Sequence, residues 1–222
     1  MITYNFNWSV IGRNMDAFLQ ALALGLGLAV VSLVMGSIIG LACAFARTSK
    51  IKWLDWPVWA YVEFVRNTPL LLLIIFVYFG LPQAGVYGLG KIESFILTLT
   101  LYAGAYMCEV FRTGLASMPN QYREAAKAIG LTPWQRQRYV VLPVMFRITL
   151  PAISNNLISL FKDTSLAAAI AVPELTFTAR QVNANTFRVI EVWLTASALY
   201  LMASYAIALT LRQVERRFAS VR

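Results

Sequence analysis

Apolar residues run almost unbroken from Ala17 to Ala46, and comparable runs return near Val58 to Phe79, Ile92 to Cys108, Ile148 to Ile170 and Val189 to Leu211. Crossing the hydrocarbon layer as a helix takes about 20 apolar residues. The pattern therefore predicts five membrane-spanning helices and an all-α, polytopic fold. The second and fourth runs carry internal prolines or charges and are less uniform than the first and last. The 222 residues read as one transmembrane domain, interrupted by a polar stretch from about 117 to 143.

That stretch reads Asn120-Gln-Tyr-Arg-Glu124-Ala-Ala-Lys-Ala-Ile-Gly130-Leu-Thr-Pro-Trp-Gln-Arg-Gln-Arg-Tyr-Val-Val-Leu142-Pro143. It predicts two short helices on the water side of the membrane. Asn120 can accept a hydrogen bond from the free amides of the first turn, and Glu124 lies near that turn's positive end. Tyr122, Ala125, Ala126 and Ile129 follow helical spacing and make an apolar stripe. Gly130 supplies a left-handed stop. Thr132 opens the second helix, with Pro133 at its first position and Gln135 completing a capping box. Leu142-Pro143 is expected to bend the chain as it re-enters the bilayer. Two small alanines side by side let another surface approach the first helix closely.

The same residues resemble the EAA loop of the permease subunits of bacterial ABC importers. That motif has Glu-Ala-Ala, a Gly six positions after the Glu, a β-branched residue, one spacer and Leu-Pro. Here those positions are Glu124, Ala125, Ala126, Gly130, Val140, Leu142 and Pro143, with Val140 where Ile is commoner. The resemblance implies a coupling helix that docks into a groove on a separate ATP-hydrolysing subunit.

Composition adds an independent reason to place the chain in lipid. It is 59% hydrophobic and 13% charged, against about 25% charged in a soluble domain. Mean hydropathy is +0.64. Net charge is +9, and the basic residues are unevenly spread. With the N-terminus outside, the cytoplasmic segments hold Arg47, Lys50 and Lys52, then Arg112, Arg123, Lys127, Arg136, Arg138 and Arg147, and finally Arg212, Arg216, Arg217 and Arg222. The outer segments keep Arg13, Lys91, Arg180 and Arg188, while Arg66 and Lys162 fall inside spans. This asymmetry fits the positive-inside rule and puts the Glu124 loop and the C-terminus in the cytoplasm. The charge is thereby explained by topology, and its scatter supplies no basic face for nucleic acid.

Several other signals resolve into structure. The first apolar run is too long for the core of a cleaved signal peptide. Cys43 and Cys108 both fall in apolar spans and read as free thiols packed against other helices. Gly36-Ser-Ile-Ile-Gly40 is a small-xxx-small pair that permits close helix contact. Gly85-Val-Tyr-Gly-Leu-Gly90-Lys91 imitates the start of a phosphate-binding loop, but Ile92 stands where Ser or Thr should reach magnesium, and no strand is predicted before it. It reads as a flexible turn. The chain has no histidine and no catalytic or metal-binding cluster, so it is expected to be non-catalytic and to bind no cofactor itself.

A second set of segments narrows the resemblance. Glu63-Phe-Val-Arg66-Asn67-Thr68-Pro69-Leu70, Tyr78-Phe-Gly80-Leu-Pro82, Tyr102-Ala-Gly-Ala-Tyr-Met-Cys-Glu109-Val-Phe-Arg112-Thr-Gly114 and Leu160-Phe-Lys162-Asp163-Thr164-Ser165-Leu166 are similar to the polar amino acid importers, the histidine/glutamine/glutamate-type permeases. The resemblance implies a type I importer permease with five spans in the bacterial inner membrane. It implies a second permease subunit, identical or homologous, two ATPase subunits carrying ATP and Mg, and a periplasmic or lipid-anchored amino acid binding protein.

Charges at membrane depth direct attention to the same places. An ionised side chain in hydrocarbon costs at least about 2.5 kcal/mol, so Glu63, Arg66, Glu109, Lys162 and Asp163 should face protein or water. Glu63 and Arg66, three apart, are expected to pair, as are Glu109 and Arg112. Such pairs could clasp helices near an inner gate. Asn155, Asn156, Asp163, Thr164 and Ser165 could line a substrate path, with Asp163 receiving an ammonium group, or form a polar seam between two subunits. The competing classes are an ion-coupled secondary transporter and an intramembrane enzyme. The first would usually show inverted repeats, which five spans do not provide.

Overall fold

The computed structural model describes residues 4–49 and 51–219. Lys50 and Arg222, counted above among the cytoplasmic basic residues, lie outside the described residues. Regular structure among the described residues is helical throughout. The α-helices are α1 (Ser9–Thr48), α2 (Lys52–Asn67), α3 (Leu70–Ile75), α4 (Leu81–Gln83), α5 (Lys91–Ser117), α6 (Asn120–Ala128), α7 (Pro133–Arg136), α8 (Leu142–Asp163), α9 (Leu175–Thr186) and α10 (Val189–Ala219). π-helical turns, Phe76–Gly80 and Gln137–Val141, precede α4 and α8, and a 3-10 segment, Thr164–Ile170, follows α8.

Four helical stretches are long and apolar enough to cross a membrane: Ser9–Thr48, Lys91–Ser117, Pro133–Ile170 and Val189–Arg217. The second predicted span is not a straight helix. It is broken between Lys52–Asn67 and Leu70–Gln83. The cause is local, because Pro69 withholds a backbone donor and drives Thr68 into extended geometry, φ −102° and ψ 132°.

The expected break at Leu142-Pro143 takes another form. The helix continues from Pro133 to Ile170, and widens by one residue just before the proline. Leu142 N–H donates to the Gln137 carbonyl, five residues back. Leu81-Pro82 repeats the device, with Leu81 N–H on the Phe76 carbonyl. A proline ring clashes with the carbonyl four residues earlier, and one wide turn relieves that clash without ending the helix.

Backbone contacts divide the chain into two compact units. The first comprises Met1–Ser32, Leu70–Leu99 and Leu157–Ile207. Its core gathers Phe18, Leu175, Ala179, Val182, Val192, Ala196 and Leu199 from α1, α9 and α10. Helix α9 starts at Glu174, which is fully buried and accepts from the Thr176 and Phe177 amides at 2.8 Å each and from the Tyr200 hydroxyl at 2.7 Å. Burial pushes the Glu174 carboxyl up from its usual value, and those donors pull the other way. The N-terminal segment is latched to the start of α10. Tyr4 donates to Glu191, the Asn7 amide donates to Glu191 at 2.7 Å, and Arg188 donates to the Asn5 carbonyl at 2.5 Å. The bond to Glu191 raises the Tyr4 hydroxyl above its ordinary pKa.

The second unit comprises Leu33–Pro69, Thr100–Asn156 and Ala208–Arg222. Lipid is as apolar as these side chains, so close contact rather than escape from water must hold its helices together. Gly36 and Gly40 supply that contact within the chain. A Cβ at Gly36 would sit 2.6 Å from Ala103 Cβ, and one at Gly40 2.6 Å from Met107 Cβ, both on α5. The Cys43 and Cys108 thiols lie in contact at the same crossing, both free. Tyr61 of α2 ties in by donating to the Leu101 carbonyl at 2.5 Å. Gly114 of α5 admits Thr149 and Met145 of α8, and Phe111 meets Phe146 edge-on at 5.6 Å.

Candidate functional site

The polar loop folds as two short helices set by local rules, with one change at its start. Asn120 is the first helical residue, not the cap. Pro119 holds the cap position, no side chain bonds the free amides there, and no acidic residue lies in the first turn. Proline's fixed φ suits an entry into a helix, so the start is set by backbone restriction rather than by Asn120 or Glu124. The stop is as expected. Gly130 has φ +77°, its amide donates to the Lys127 carbonyl at 2.9 Å, and the Leu131 amide donates to the Ala126 carbonyl at 3.1 Å. These paired bonds close the end of α6. Two residues later the capping box forms. Gln135 N–H donates to Thr132 Oγ1 at 3.3 Å, and Thr132 N–H donates to Gln135 Oε1 at 2.9 Å.

The result is a rigid α6–α7 knob with an uncovered apolar face. Ala126 is buried, while Ala125 faces outward beside Glu124. Tyr122 is exposed, Ile129 is 74% exposed and Trp134 73%. A pair of large apolar side chains left this open on rigid backbone is what a docking partner would cover.

Of the two ion pairs expected at membrane depth, one forms. Arg112 clasps Glu109 bidentately, Nη2 to Oε2 at 2.7 Å and Nε to both oxygens at 3.1 Å. Glu63 and Arg66 form no such pair. Glu63 instead accepts from Asn67 Nδ2 at 3.0 Å, and the Arg66 guanidinium lies over the Tyr106 ring, 5.4 Å from its centroid. Tyr106 is one helical turn before Glu109, so Arg66, Tyr106 and Glu109 share the wall of a cavity of about 390 Å³ with Thr113 and Thr149. The sequence did contain this signal. An aromatic three residues before an acid lies on the same helix face, where a cation can reach both.

The proposed path residues are distributed between the two units. Asn155 is exposed in the second unit, and Asn156 donates to the Ala152 carbonyl at 2.9 Å. Asp163 and Ser165 are half-buried in the first unit, at the junction of α8 with the 3-10 segment. Thr164 does not face an open path. It is fully buried, its hydroxyl donates to the Phe161 carbonyl at 2.6 Å, and Gly25 leaves room for it on α1. The phosphate-loop mimic is a turn, with positive φ at Gly85 and Gly88. Lys91 Nζ donates to the Ala171 carbonyl at 2.7 Å.

Residues 36–220 match the family model for the inner membrane component of binding-protein-dependent transport systems. The chain belongs to that family. This permease is 34% identical to the glutamine transport system permease GlnP of Escherichia coli (strain K12) over 215 residues, 96% of this chain and 97% of that protein. It is 33% identical to the histidine/lysine/arginine/ornithine permease HisM of the same organism over 205 residues, 88% of this chain and 86% of that protein. Its fold matches a crystal structure of an amino acid ABC transporter with histidines at TM-score 0.88 and 27% identity, covering 96% of this chain and 100% of that one. The permease is a multi-pass protein of the inner membrane, built as an ABC importer transmembrane subunit.

Proposed function

We propose that this permease forms half of the translocation pathway of an ATP-driven amino acid importer, and that α6 and α7 couple it to a separate ATPase. The observation that carries the coupling role is the knob itself. Glu124 and Ala125 sit on a helix whose end Gly130 closes with paired backbone bonds, and Ile129 and Trp134 lie uncovered beside them. Leu142 and Pro143 join that knob to α8 through a wide helical turn rather than a flexible hinge. Force applied at α6 would therefore pass into α8.

In this reading ATP and Mg belong to two partner ATPases, which close on nucleotide and draw two coupling helices together. A second permease subunit, identical or homologous, completes the path, and an amino acid binding protein delivers substrate from outside. The N-terminus lies outside and the C-terminus in the cytoplasm, as the basic residues suggest. The permease contributes a packing arrangement with two stable states, biased by which contacts the nucleotide favours. Similarity over most of the chain to glutamine and histidine/lysine/arginine/ornithine permeases supports an amino acid as cargo. The Arg66–Tyr106 contact and the Glu109–Arg112 clasp are proposed to hold helices near the inner gate, and Asn155, Asn156, Asp163 and Ser165 to border the path.

Co-purification tests the coupling role. After mild detergent extraction the native chain is expected to retain an ATPase, and Ala125→Trp to lose it while still inserting in the membrane. Retention of the ATPase by Ala125→Trp would remove α6 as the docking element.

A further inference from the structure

Behind the knob, within the second unit, lies a cavity of about 570 Å³ that the transport reading does not use. Five cationic side chains line it: Arg47 of α1, Arg112 of α5, Arg123 and Lys127 of α6, and Arg136 of α7. No carboxylate lines it. Two of the cations are partly answered from outside the wall, Arg112 by Glu109 and Arg47 by Asp55 at 2.9 Å. Arg123, Lys127 and Arg136 make no ion pair among the described residues, and Arg123 offers only an Nη2 contact to the Leu115 carbonyl at 3.3 Å. Arg47 Nε–H is buried with no acceptor, an uncommon state for a charged donor.

Like charges gathered in one concavity repel unless an anion joins them. The cavity's place in the fold says which anion. Phe45 and Arg47 belong to the last turn of the span Ser9–Thr48, Arg112 to the last two turns of Lys91–Ser117, and Arg136 to the first turn of Pro133–Ile170. Three helical stretches long enough to cross a membrane therefore have their ends on the side of α6 and α7 at this cavity. Phe45, Leu115 and Val141 add apolar wall beside the cations, which suits a molecule that is anionic at one end and greasy at the other. Guanidinium forks match the oxygens of a phosphate, and basic pockets between span ends are favourable sites for anionic headgroups.

We propose that this cavity binds the phosphate of an anionic phospholipid from the leaflet nearest α6 and α7. Seated there, the headgroup touches α1, α5, α6 and α7 at once, and so ties the knob to the ends of two spans. The lipid acts as a structural ligand of the coupling loop, and lipid charge becomes a determinant of its rigidity.

The test uses the full chain reconstituted in lipid nanodiscs, with retained phospholipid identified by mass spectrometry. Phosphatidylglycerol is expected to be retained from a mixture with phosphatidylcholine and to resist millimolar inorganic phosphate. Replacing Arg123, Lys127 and Arg136 by Gln together should weaken retention by roughly fivefold per cation. Lys127→Gln alone, an exposed site that leaves folding intact, should show a single such step, and Arg13→Gln, remote in sequence and outside the cavity, none. Equal retention of phosphatidylcholine would overturn the proposal. So would displacement by inorganic phosphate or by an acidic peptide at concentrations matched to the lipid, or an unchanged affinity in the triple variant and in Lys127→Gln.

Discussion

The guanidinium of Arg66 rests over the ring of Tyr106 at 5.4 Å and leaves Glu63, three residues away on its own helix, to Asn67. An ammonium or guanidinium over an aromatic face is worth about 0.5–2 kcal/mol, more as water is excluded. Tyr106→Ala is therefore expected to lower the melting temperature in mild detergent, and Tyr106→Phe to keep most of it. Glu63→Gln should stay within about 0.5 kcal/mol of the native chain, as substitutions away from such features do. A destabilising Glu63→Gln with a neutral Tyr106→Ala would restore the Glu63–Arg66 pair.

The glycines of α1 divide into two kinds. Gly36 and Gly40 meet α5 with no room for a Cβ, whereas Gly27 has nothing within 4 Å of where one would stand. Gly36→Val and Gly40→Val should each cost about 1–3 kcal/mol by overpacking. Gly27→Ala should instead gain about 0.5–1 kcal/mol from helix propensity. Thermal melting of the three variants checks the contrast, and equal effects would remove the α1–α5 crossing as a determinant of stability.

Glu174 anchors α9 through two backbone amides and one tyrosine. Glu174→Ala strands those donors in a buried site, at about 1–3 kcal/mol for each unsatisfied group. Glu174→Gln keeps one acceptor oxygen and should cost less, and Tyr200→Phe, which removes one donor to Glu174 and leaves only the half-buried Thr176 hydroxyl without its 3.1 Å contact, less again. Melting temperatures in that order support the network, and a neutral Glu174→Ala contradicts it.

Gly130 makes a separate test possible, because its φ of +77° is held in open space. Asn tolerates the left-handed region and β-branched residues do not. Gly130→Asn is expected to transport normally. Gly130→Val should insert and melt nearly as the native chain does, yet lose ATP-driven uptake as the knob deforms. Normal transport by Gly130→Val in reconstituted vesicles would detach coupling from the shape of α6.

Those features were legible in the sequence to different degrees, for physical reasons. Apolar length announced the spans, and Gly130, Thr132 and Gln135 announced the knob, because such signals act within a few residues. Pro69 could have announced the break in the second run, because it withholds a donor and drives the residue before it out of helical geometry. Leu81-Pro82 and Leu142-Pro143 could have announced the wide turns before them, as both use the same relief of a proline clash. The α9 stripe of Leu175, Thr178, Ala179 and Val182 was also on helical spacing, behind an acidic cap at Glu174. Partners distant in sequence were not readable. Arg66 finds Tyr106, and Glu191 finds Tyr4 and Asn7, only once the chain is folded.

Uptake of radiolabelled amino acid into liposomes measures the central claim directly. Purified alone, this chain is expected to move no solute against a gradient, with or without ATP. Joined by its ATPase, a second permease subunit and a binding protein, it is expected to accumulate an amino acid only when ATP is supplied on the side of α6. Concentrative uptake by the isolated chain would contradict the account outright.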